Sequence, residues 1–220
     1  MSDRLPGLGG LVLCGGQSSR MGSPKAWLPF GGEHLLQRVV RIVGEAASPI
    51  VVVAAEGQEI PPLPEEVTVV RDAVSGRGPL QGIAAGMEGL AHAHDLRAVF
   101  VSSTDVPFLH SALIRRLFAL RGDAHDIAVP RAGGHYHPLS AVYGVEARAE
   151  ILALLAADRR RPFFLFERMR TVVADEALLL EGEELRASDP TLRSLHNVNT
   201  REEYEAALAA LGEEPRPPGA

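Results

Sequence analysis

The sequence predicts an α/β fold, a single domain in which a mostly parallel, Rossmann-like sheet lies between two layers of helices. Short, continuous apolar runs alternate with segments whose apolar residues recur at helical spacing, which is the pattern of βαβ units. Glycine-rich or polar segments follow three of the apolar runs. Because the carboxyl ends of parallel strands meet at the same edge of a sheet, we expect these segments to converge there and to bind a ligand.

Seven apolar runs are the predicted strands. Most are rich in β-branched residues, and their continuous hydrophobicity is typical of strands that are buried on both faces. The runs are Leu11–Leu13, Ile50–Ala55, Val67–Val70, Ala98–Ser102, Ile127–Val129, Leu139–Tyr143 and Thr171–Val173.

The predicted helices alternate with these strands. Pro79 suits a first helical turn, where proline is tolerated, and Ser111 and Thr200 are the predicted N-caps of two later helices. The helices are predicted over Leu35–Val43, Pro79–Leu90, Ser111–Phe118, Glu146–Ala156, Pro162–Met169 and Arg201–Leu211. We expect one folded domain over residues 8–211 and a disordered tail over residues 212–220, because the tail carries almost no apolar side chains.

The charge of the chain argues against nucleic acid as a partner. Its 22 Lys and Arg residues against 28 Asp and Glu give a formal net charge of −6, so an anionic ligand must meet a local group of cations. No apolar run approaches the roughly 20 residues that span a bilayer, and the first residues lack the apolar core of a signal peptide. The single cysteine, Cys14, excludes an internal disulfide, and we interpret it as a packing residue rather than a nucleophile. We therefore expect a cytoplasmic protein that binds neither nucleic acid nor membrane.

The segment Leu13–Lys25 has the composition of a phosphate-binding loop. Directly after the first strand, Gly15 and Gly16 permit backbone conformations that let main-chain N–H groups approach an anion. Arg20 and Lys25 supply positive charge. A nucleotide is the predicted ligand, and an ordinary glycine-rich surface loop is the alternative.

Two better-known phosphate loops do not fit this segment. A P-loop places a Ser or Thr after its lysine to hold magnesium, whereas Ala26 follows Lys25. The dinucleotide fingerprint G-x-G-x-x-G follows a strand, whereas the cluster Gly7–Gly10 precedes the apolar run. The loop therefore indicates another class of nucleotide-binding protein.

Asp105 is the predicted magnesium ligand. It follows the buried strand Ala98–Ser102 and precedes a proline turn, so its carboxylate would emerge at the ligand-binding edge. Mg²⁺ typically takes one or two protein carboxylates and completes its octahedron with water and substrate phosphates. A turn or a helix cap is the alternative role for this aspartate.

Two asparagines precede the last predicted helix. Asn197 and Asn199 lie two residues apart, so an extended segment would place both amides on one side. Asn199 could then reach the metal ion or its water ligands. The alternative is a segment that only caps the helix through Thr200.

Three further polar features lie near predicted strand or helix ends. Asp72 ends its own strand and could accept hydrogen bonds from sugar hydroxyls or a guanine N–H, with stabilisation of the turn as the alternative. Arg77 and Gly78 precede a helix N-terminus, where anions are favoured. The run Arg159–Arg161 is either a solvated surface or, beside a pocket, an attractor of a phosphorylated ligand.

Several segments together resemble one family. They are Leu13–Gly16 with Arg20–Gly22 and Lys25, then Gly78–Gly82, Thr104–Leu109, His137–Leu139 and Asn197–Thr200. Their order and spacing are similar to those of the molybdenum cofactor guanylyltransferases, the MobA family, over about residues 8–211. The resemblance implies a nucleotidyltransferase domain of the nucleotide-diphospho-sugar transferase type. It also implies that GMP passes from GTP to the terminal phosphate of molybdopterin, releasing pyrophosphate and forming molybdopterin guanine dinucleotide.

The resemblance further implies roles for individual residues. Asp105 would bind Mg²⁺, while Lys25 and Arg20 would neutralise charge as pyrophosphate departs. The implied nucleotide contacts fall on Leu13, Cys14, Gly15, Gly16, Arg20, Lys25, Asp72, Gly78 and Asp105. No general base is needed, because a phosphate monoester with a second pKa of about 6 is already ionised at neutral pH. Chaperones of molybdoenzymes, or the apoenzymes themselves, are the implied recipients of the product.

Two positions bear on nucleoside binding. Ala54 stands where the family often has an asparagine, so one nucleoside contact would come from elsewhere. Gly15 stands where related cytidylyltransferases carry alanine, and its missing Cβ would leave room for the larger purine.

Two alternative functions remain open. One is another nucleotidyltransferase of the same fold, such as a molybdopterin cytidylyltransferase or a sugar-phosphate nucleotidyltransferase. The other is a non-catalytic nucleotide-binding module, which would have no need of Asp105.

Overall fold

The computed structural model describes residues 4–14, 24–72 and 78–212, and within these ranges it contains ten strands and eight α-helices. The strands are β1 (Leu8–Leu13), β2 (Pro29–Phe30), β3 (Glu33–His34), β4 (Ile50–Ala55), β5 (Val67–Asp72), β6 (Ala98–Ser103), β7 (Ile127–Ala132), β8 (His135–Tyr136), β9 (Ser140–Gly144) and β10 (Thr171–Asp175). The helices are α1 (Leu35–Gly44), α2 (Pro79–Gly89), α3 (Ser111–Arg121), α4 (Ala147–Ala156), α5 (Phe163–Phe166), α6 (Glu176–Leu180), α7 (Glu183–Ser188) and α8 (Arg201–Leu211).

Eight of the strands form one sheet. Its order is β10-β7-β9-β6-β1-β4-β5, and β8 pairs with the end of β7. The strands β6, β1, β4 and β5 are parallel to one another, as are β7 and β10. β9 runs antiparallel to both β6 and β7. The predicted mostly parallel α/β fold is confirmed, and the reversed strand β9 makes the sheet mixed.

Helices cover both faces of the sheet because successive side chains of a strand point to opposite faces. In β1, Leu8 and Val12 belong to a core built with α1, α3, α6 and α7, whereas Leu11 and Leu13 belong to a second core built with α2, α4 and α5. All four side chains are buried. The arrangement is the predicted three-layer α/β/α fold.

The last helix, α8, packs on the β2–β3 hairpin. Phe30 forms a third apolar cluster with Tyr204 and Leu208 of α8. Thr200 caps α8 as predicted, because its hydroxyl accepts a hydrogen bond from the backbone N–H of Glu203 at 3.2 Å. This packing holds the segment before α8 beside the hairpin.

Some local details differ from the sequence-based expectations. The run Val67–Val70 was expected to be buried on both faces, but β5 is an edge strand and is partly exposed. His110 rather than Ser111 caps α3, since its Nδ1 accepts from the N–H of Ala112 at 3.2 Å. The helix predicted over Pro162–Met169 is only the four residues of α5, and α6 and α7 were not predicted because they are too short to show helical periodicity.

The predicted tail begins where α8 ends. Gly212 adopts a left-handed conformation with a φ of 81°, which terminates the helix. Residues 213–220 lie outside the described part of the chain. Among the described helices, none is long and apolar enough to cross a membrane.

A close approach of α2 to β1 gives a test of the core. A Cβ at Gly86 would overlap Cδ1 of the fully buried Leu11 and lie 2.9 Å from its Cγ. We therefore expect Gly86→Ala to lower the free energy of unfolding by about 1–3 kcal/mol, although alanine favours helix more than glycine does. Denaturant unfolding measures the change. Gly44→Ala in α1 is the control, because its Cβ would meet Ile50 Cδ1 at 3.3 Å, and equal effects of the two substitutions would contradict the close packing at Gly86.

Candidate active site

Asp105 is the centre of a hydrogen-bond network at the carboxyl edge of the sheet. It follows β6, and its Oδ1 accepts from the Ser103 hydroxyl at 2.5 Å and from the Asn197 side-chain amide at 2.8 Å. Its Oδ2 accepts from the Lys25 ammonium at 2.8 Å. The side chains of Asp105 and Lys25 are only 15% and 21% exposed, so their mutual attraction is less screened than that of a surface ion pair.

Lys25 links this strand end to the segment before α8. Its ammonium also donates to Asn199 Oδ1 at 2.9 Å, and the backbone N–H of Val198 donates to the Asp105 carbonyl at 2.8 Å. Lys25 begins a short 3-10 turn that comes directly after the glycine-rich segment of the sequence. The structure thus brings together Lys25, Asp105 and Asn199, which the sequence separates by up to 174 positions.

Two residues that the sequence pattern does not single out support this region: Ser103 within the network and Asp189 beside it. Ser103 lies two positions before Asp105, and this spacing is a usable signal because alternate residues of an extended segment share a side. The buried Asp189 accepts from the N–H of Ser194 at 2.9 Å, and the Ser194 hydroxyl donates to the Phe108 carbonyl at 3.3 Å. Asp189 has no sequence signal of this kind, because it acts through the backbone of residues beside it.

The end of β1 lies next to the strand that carries Asp105. The Leu13 carbonyl accepts from the hydroxyl of Thr104 at 3.1 Å and from its N–H at 3.2 Å. The Cys14 carbonyl accepts from the side-chain amide of Gln58 at 3.0 Å. Burial raises the pKa of the Cys14 thiol, so the thiol stays protonated at neutral pH and the side chain packs in the core. Gln58 therefore anchors the start of the glycine-rich segment.

Asp72 and Gly78 lie farther along the same edge. Asp72 is the last residue of β5, which is the third strand away from β6 in the sheet. At the usual spacing of strands, β5 and β6 are therefore roughly 14 Å apart. Gly78 is the N-cap of α2 with a positive φ of 82°, and a Cβ there would lie 3.4 Å from the Arg160 carbonyl oxygen. The run Arg159–Arg161 therefore adjoins the amino end of α2. The predicted site residues that lie outside the described part of the chain are Gly15, Gly16, Arg20 and Arg77.

The turn His137–Leu139 reaches this edge because β9 runs antiparallel to β6. The N–H of Ser103 donates to the Leu139 carbonyl at 3.2 Å. The fully buried Tyr143 donates its hydroxyl to the Pro138 carbonyl at 2.8 Å. The turn is thereby fixed beside the residues that position Asp105.

The oxygen donors of the network suit a divalent cation. Asp105 Oδ2 and Asn199 Oδ1 both lie within 2.9 Å of the Lys25 ammonium, so they converge on one positive charge. Carboxylate and amide oxygens are hard ligands of the kind that Mg²⁺ prefers. In the described ranges, no group of three or more His, Cys, Asp or Glu side chains is arranged to hold a metal ion. Mg²⁺ at this edge would therefore take most of its ligands from water and phosphate.

Comparison with known proteins identifies the family. A model described as the MobA-like NTP transferase domain matches residues 10–173. The chain belongs to this family. The MobA-like region contains Lys25 and Asp105, and Asn199 follows it. A protein of Mycobacterium ulcerans (strain Agy99) named "Probable molybdenum cofactor guanylyltransferase" is 38% identical over 179 residues, which cover 78% of this chain and 87% of that protein.

Solved structures share the MobA-like fold. The molybdopterin-guanine dinucleotide biosynthesis protein A from Archaeoglobus fulgidus superimposes with a TM-score of 0.70 at 22% identity, covering 92% of this chain and 98% of that one. Rv0371c from Mycobacterium tuberculosis H37Rv, in a complex with manganese, has a TM-score of 0.55 at 16% identity, covering 92% and 98%. At these identities the likeness shows the fold.

The half-buried His137 of this MobA-like chain allows a test by pH. Burial lowers its pKa from the ordinary 6.5, and the charges of His135 and His196 lower it further. The unfolded chain then binds the proton more readily, so the folded state loses stability as the pH falls from about 6.5 through the folded-state pKa. We expect His137→Gln to lose less stability than the wild type between about pH 7.5 and about pH 5. Urea unfolding at both values measures this, and the same pH dependence in both proteins would contradict it.

Proposed function

We propose that this protein transfers GMP from GTP to the terminal phosphate of molybdopterin in the cytoplasm, forming molybdopterin guanine dinucleotide and releasing pyrophosphate. The observation that carries the proposal is the Lys25 ammonium between Asp105 and Asn199 at the carboxyl edge of the sheet. In a MobA-like NTP transferase domain, these residues would combine a phosphate-binding cation with oxygen ligands for Mg²⁺. The name of the relative from M. ulcerans supports a guanine nucleotide and the molybdenum cofactor as substrates.

Lys25 and Asp105 would divide the work on the triphosphate. The Lys25 ammonium donates to carboxylate and amide oxygens, and the phosphate oxygens of GTP are acceptors that form charge-assisted bonds of the same kind. Asp105 and Asn199 would hold Mg²⁺, which when bound neutralises negative charge on the phosphates. The family resemblance assigns further phosphate contacts to Arg20 and to the backbone of Gly15–Gly16.

The acceptor supplies its own nucleophile. A phosphate monoester is ionised at neutral pH, so its oxygen attacks the α-phosphorus of GTP directly; the new P–O bond forms as the bond to the β-phosphate breaks. The Asp105 carboxylate accepts hydrogen bonds from a hydroxyl, an amide and an ammonium. These three donors would stabilise negative charge, and none of them would serve as a general base. The run Arg159–Arg161, beside Gly78, would attract the anionic acceptor.

The end of β1 and the edge strand would bind the nucleoside. Leu13 and Cys14 would contact it where the glycine-rich segment begins, and Asp72 would accept hydrogen bonds from ribose hydroxyls or the guanine N–H. Gln58 holds the Cys14 carbonyl, while the apolar Ala54 lies next to the end of β4 and offers no polar side chain to the nucleoside. The product would then pass to a molybdoenzyme or its chaperone.

Nucleotide selectivity tests this proposal. With Mg²⁺ and molybdopterin present, we expect kcat/KM for pyrophosphate release to be at least about tenfold higher with GTP than with CTP, ATP or UTP. Gly15→Ala should narrow the preference for GTP over CTP, because the added Cβ would crowd the larger base. A wild-type preference for CTP would identify a cytidylyltransferase instead. Nucleotide binding without pyrophosphate release would identify a non-catalytic module.

Removal of the Asp105 carboxylate tests the metal assignment. We expect Asp105→Ala to lower kcat at least about 100-fold while much of the GTP binding persists, because the carboxylate would act on charge that develops during transfer. EDTA should abolish wild-type activity, and added Mg²⁺ should restore it. Asp123→Ala is the matched control, since Asp123 is exposed in the turn after α3, at the opposite edge of the sheet. Undiminished pyrophosphate release from Asp105→Ala would refute the assignment.

A further inference from the structure

Four aromatic side chains form a partly exposed cluster, the aromatic patch, made of Tyr136, Phe163, Phe164 and Phe166. The ring of Tyr136 lies 6.2 Å from that of Phe163 and 5.7 Å from that of Phe166, between ring centroids. Phe163 and Phe164 are 6.5 Å apart. Tyr136 is 37% exposed and Phe163 is 47% exposed, so these two aromatic residues of the patch are accessible to a ligand. Exposed apolar surface that is contiguous marks a binding site more often than scattered side chains do.

The aromatic patch is continuous with the candidate active site on two sides. Tyr136 directly precedes the turn His137–Leu139, and the Leu139 carbonyl accepts from Ser103, whose hydroxyl contacts Asp105. On the other side, Arg159–Arg161 come just before α5, which carries the three phenylalanines. The Arg160 carbonyl adjoins Gly78 at the amino end of α2. The patch is thus joined by short stretches of chain to segments that contact the Asp105 network and the amino end of α2.

The charges around the aromatic patch select the kind of ligand. The Arg159 guanidinium stacks on Phe164, with 4.7 Å between its central carbon and the ring centroid. Arg131, exposed, is paired with Tyr136 across the β7–β8 ladder and shares its face of the sheet. Flat ring surfaces flanked by cations fit a fused heterocycle that carries a phosphate, because the rings stack and the anion meets the guanidinium groups.

We propose that the aromatic patch binds the fused pterin ring of the acceptor by stacking on Phe163, while the inclined ring of Tyr136, at 62° to that of Phe163, contacts the pterin edge-to-face and the acceptor's phosphate extends towards Asp105. This inference rests on the proposed function for the identity of the acceptor. It adds the residues that hold the acceptor's ring, on a surface separate from the nucleotide contacts at β1 and β5. Stacking of a heterocycle on an aromatic side chain changes affinity by about 5- to 150-fold when the side chain is replaced by alanine.

Steady-state kinetics with molybdopterin test the patch. We expect Tyr136→Ala and Phe163→Ala each to raise KM for molybdopterin about 5- to 20-fold, with KM for GTP and kcat within about twofold of the wild type. Leu152→Ala is the matched control, because Leu152 is an apolar side chain of similar exposure, 43%, on α4 outside the patch. Unchanged KM for molybdopterin in both patch variants would overturn the proposal.

Substitutions of different shape at Phe163 separate stacking from general apolar contact. Phe163→Tyr keeps a flat ring and should bind molybdopterin like the wild type, whereas Phe163→Leu keeps apolar area without the ring and should resemble Phe163→Ala. A wild-type KM in Phe163→Leu would exclude stacking at this position. Sedimentation of the double variant, in which both Tyr136 and Phe163 are alanine, tests the other occupant, a second copy of this chain. Loss of self-association together with an unchanged KM would make the patch an interface between copies and overturn the proposal.

Direct binding keeps the patch testable apart from the reaction. The fluorescence of 6-hydroxymethylpterin should be quenched when it binds to the wild type or to Leu152→Ala. The variant in which both Tyr136 and Phe163 are alanine should bind this probe with an affinity at least about fivefold lower. A wild type that transfers no nucleotide to molybdopterin would contradict the proposed function alone, and quenching would still support the patch. Turnover with molybdopterin but equal quenching by the wild type and the double variant would contradict the patch alone.

Discussion

The site depends on the hydrogen bonds of the Asp105 carboxylate, because they come from different parts of the chain and engage both of its oxygens. Ser103 and Asn197 hold Oδ1, and Lys25 holds Oδ2. With 15% and 21% exposure, the Asp105–Lys25 pair is partly withdrawn from water, so removing either partner would deprive the other of its opposite charge. The same contacts join the strand end to the segment before α8, so geometry and electrostatics at this edge have a common origin.

The register of the sheet makes this convergence possible. Leu13 of β1 pairs with Ser103 of β6, so these two strands end side by side, just before Cys14 and Asp105. The hydrogen bonds from Thr104 to the Leu13 carbonyl then connect the two strand ends beyond the ladder. The reversed strand β9 adds a third segment to the edge, because its amino end, preceded by His137–Leu139, lies where β6 ends. The proposed nucleotide and acceptor sides of the site are therefore built on one sheet.

Much of this architecture could be predicted from local pattern, and what could not has physical reasons. The apolar runs indicated the strands. Because parallel strands end at the same edge of a sheet, the order of these runs also predicted that Asp105 and Lys25 lie at one edge. The direction of β9 could not be read, because a strand buried on both faces has the same continuous hydrophobicity in either direction. His110 and Ser111 are both able to cap, and only the backbone geometry decides between them. Gln58 and Asp189 act on backbone groups, which any residue offers, so their roles have no partner pattern in the sequence.

The segment Asn197–Asn199 gives the site a property that concerns truncated forms of the chain. The Lys25 ammonium finds its second oxygen partner 174 positions later, and the segment that supplies it is held by the packing of α8 on the β2–β3 hairpin. A chain that ends before Asn199 can contain β1, β4 and β6 and still lack this oxygen partner of Lys25. The hydrogen-bond network around Lys25 is thereby coupled to the presence of the segment before α8, and truncated chains without this segment cannot assemble it.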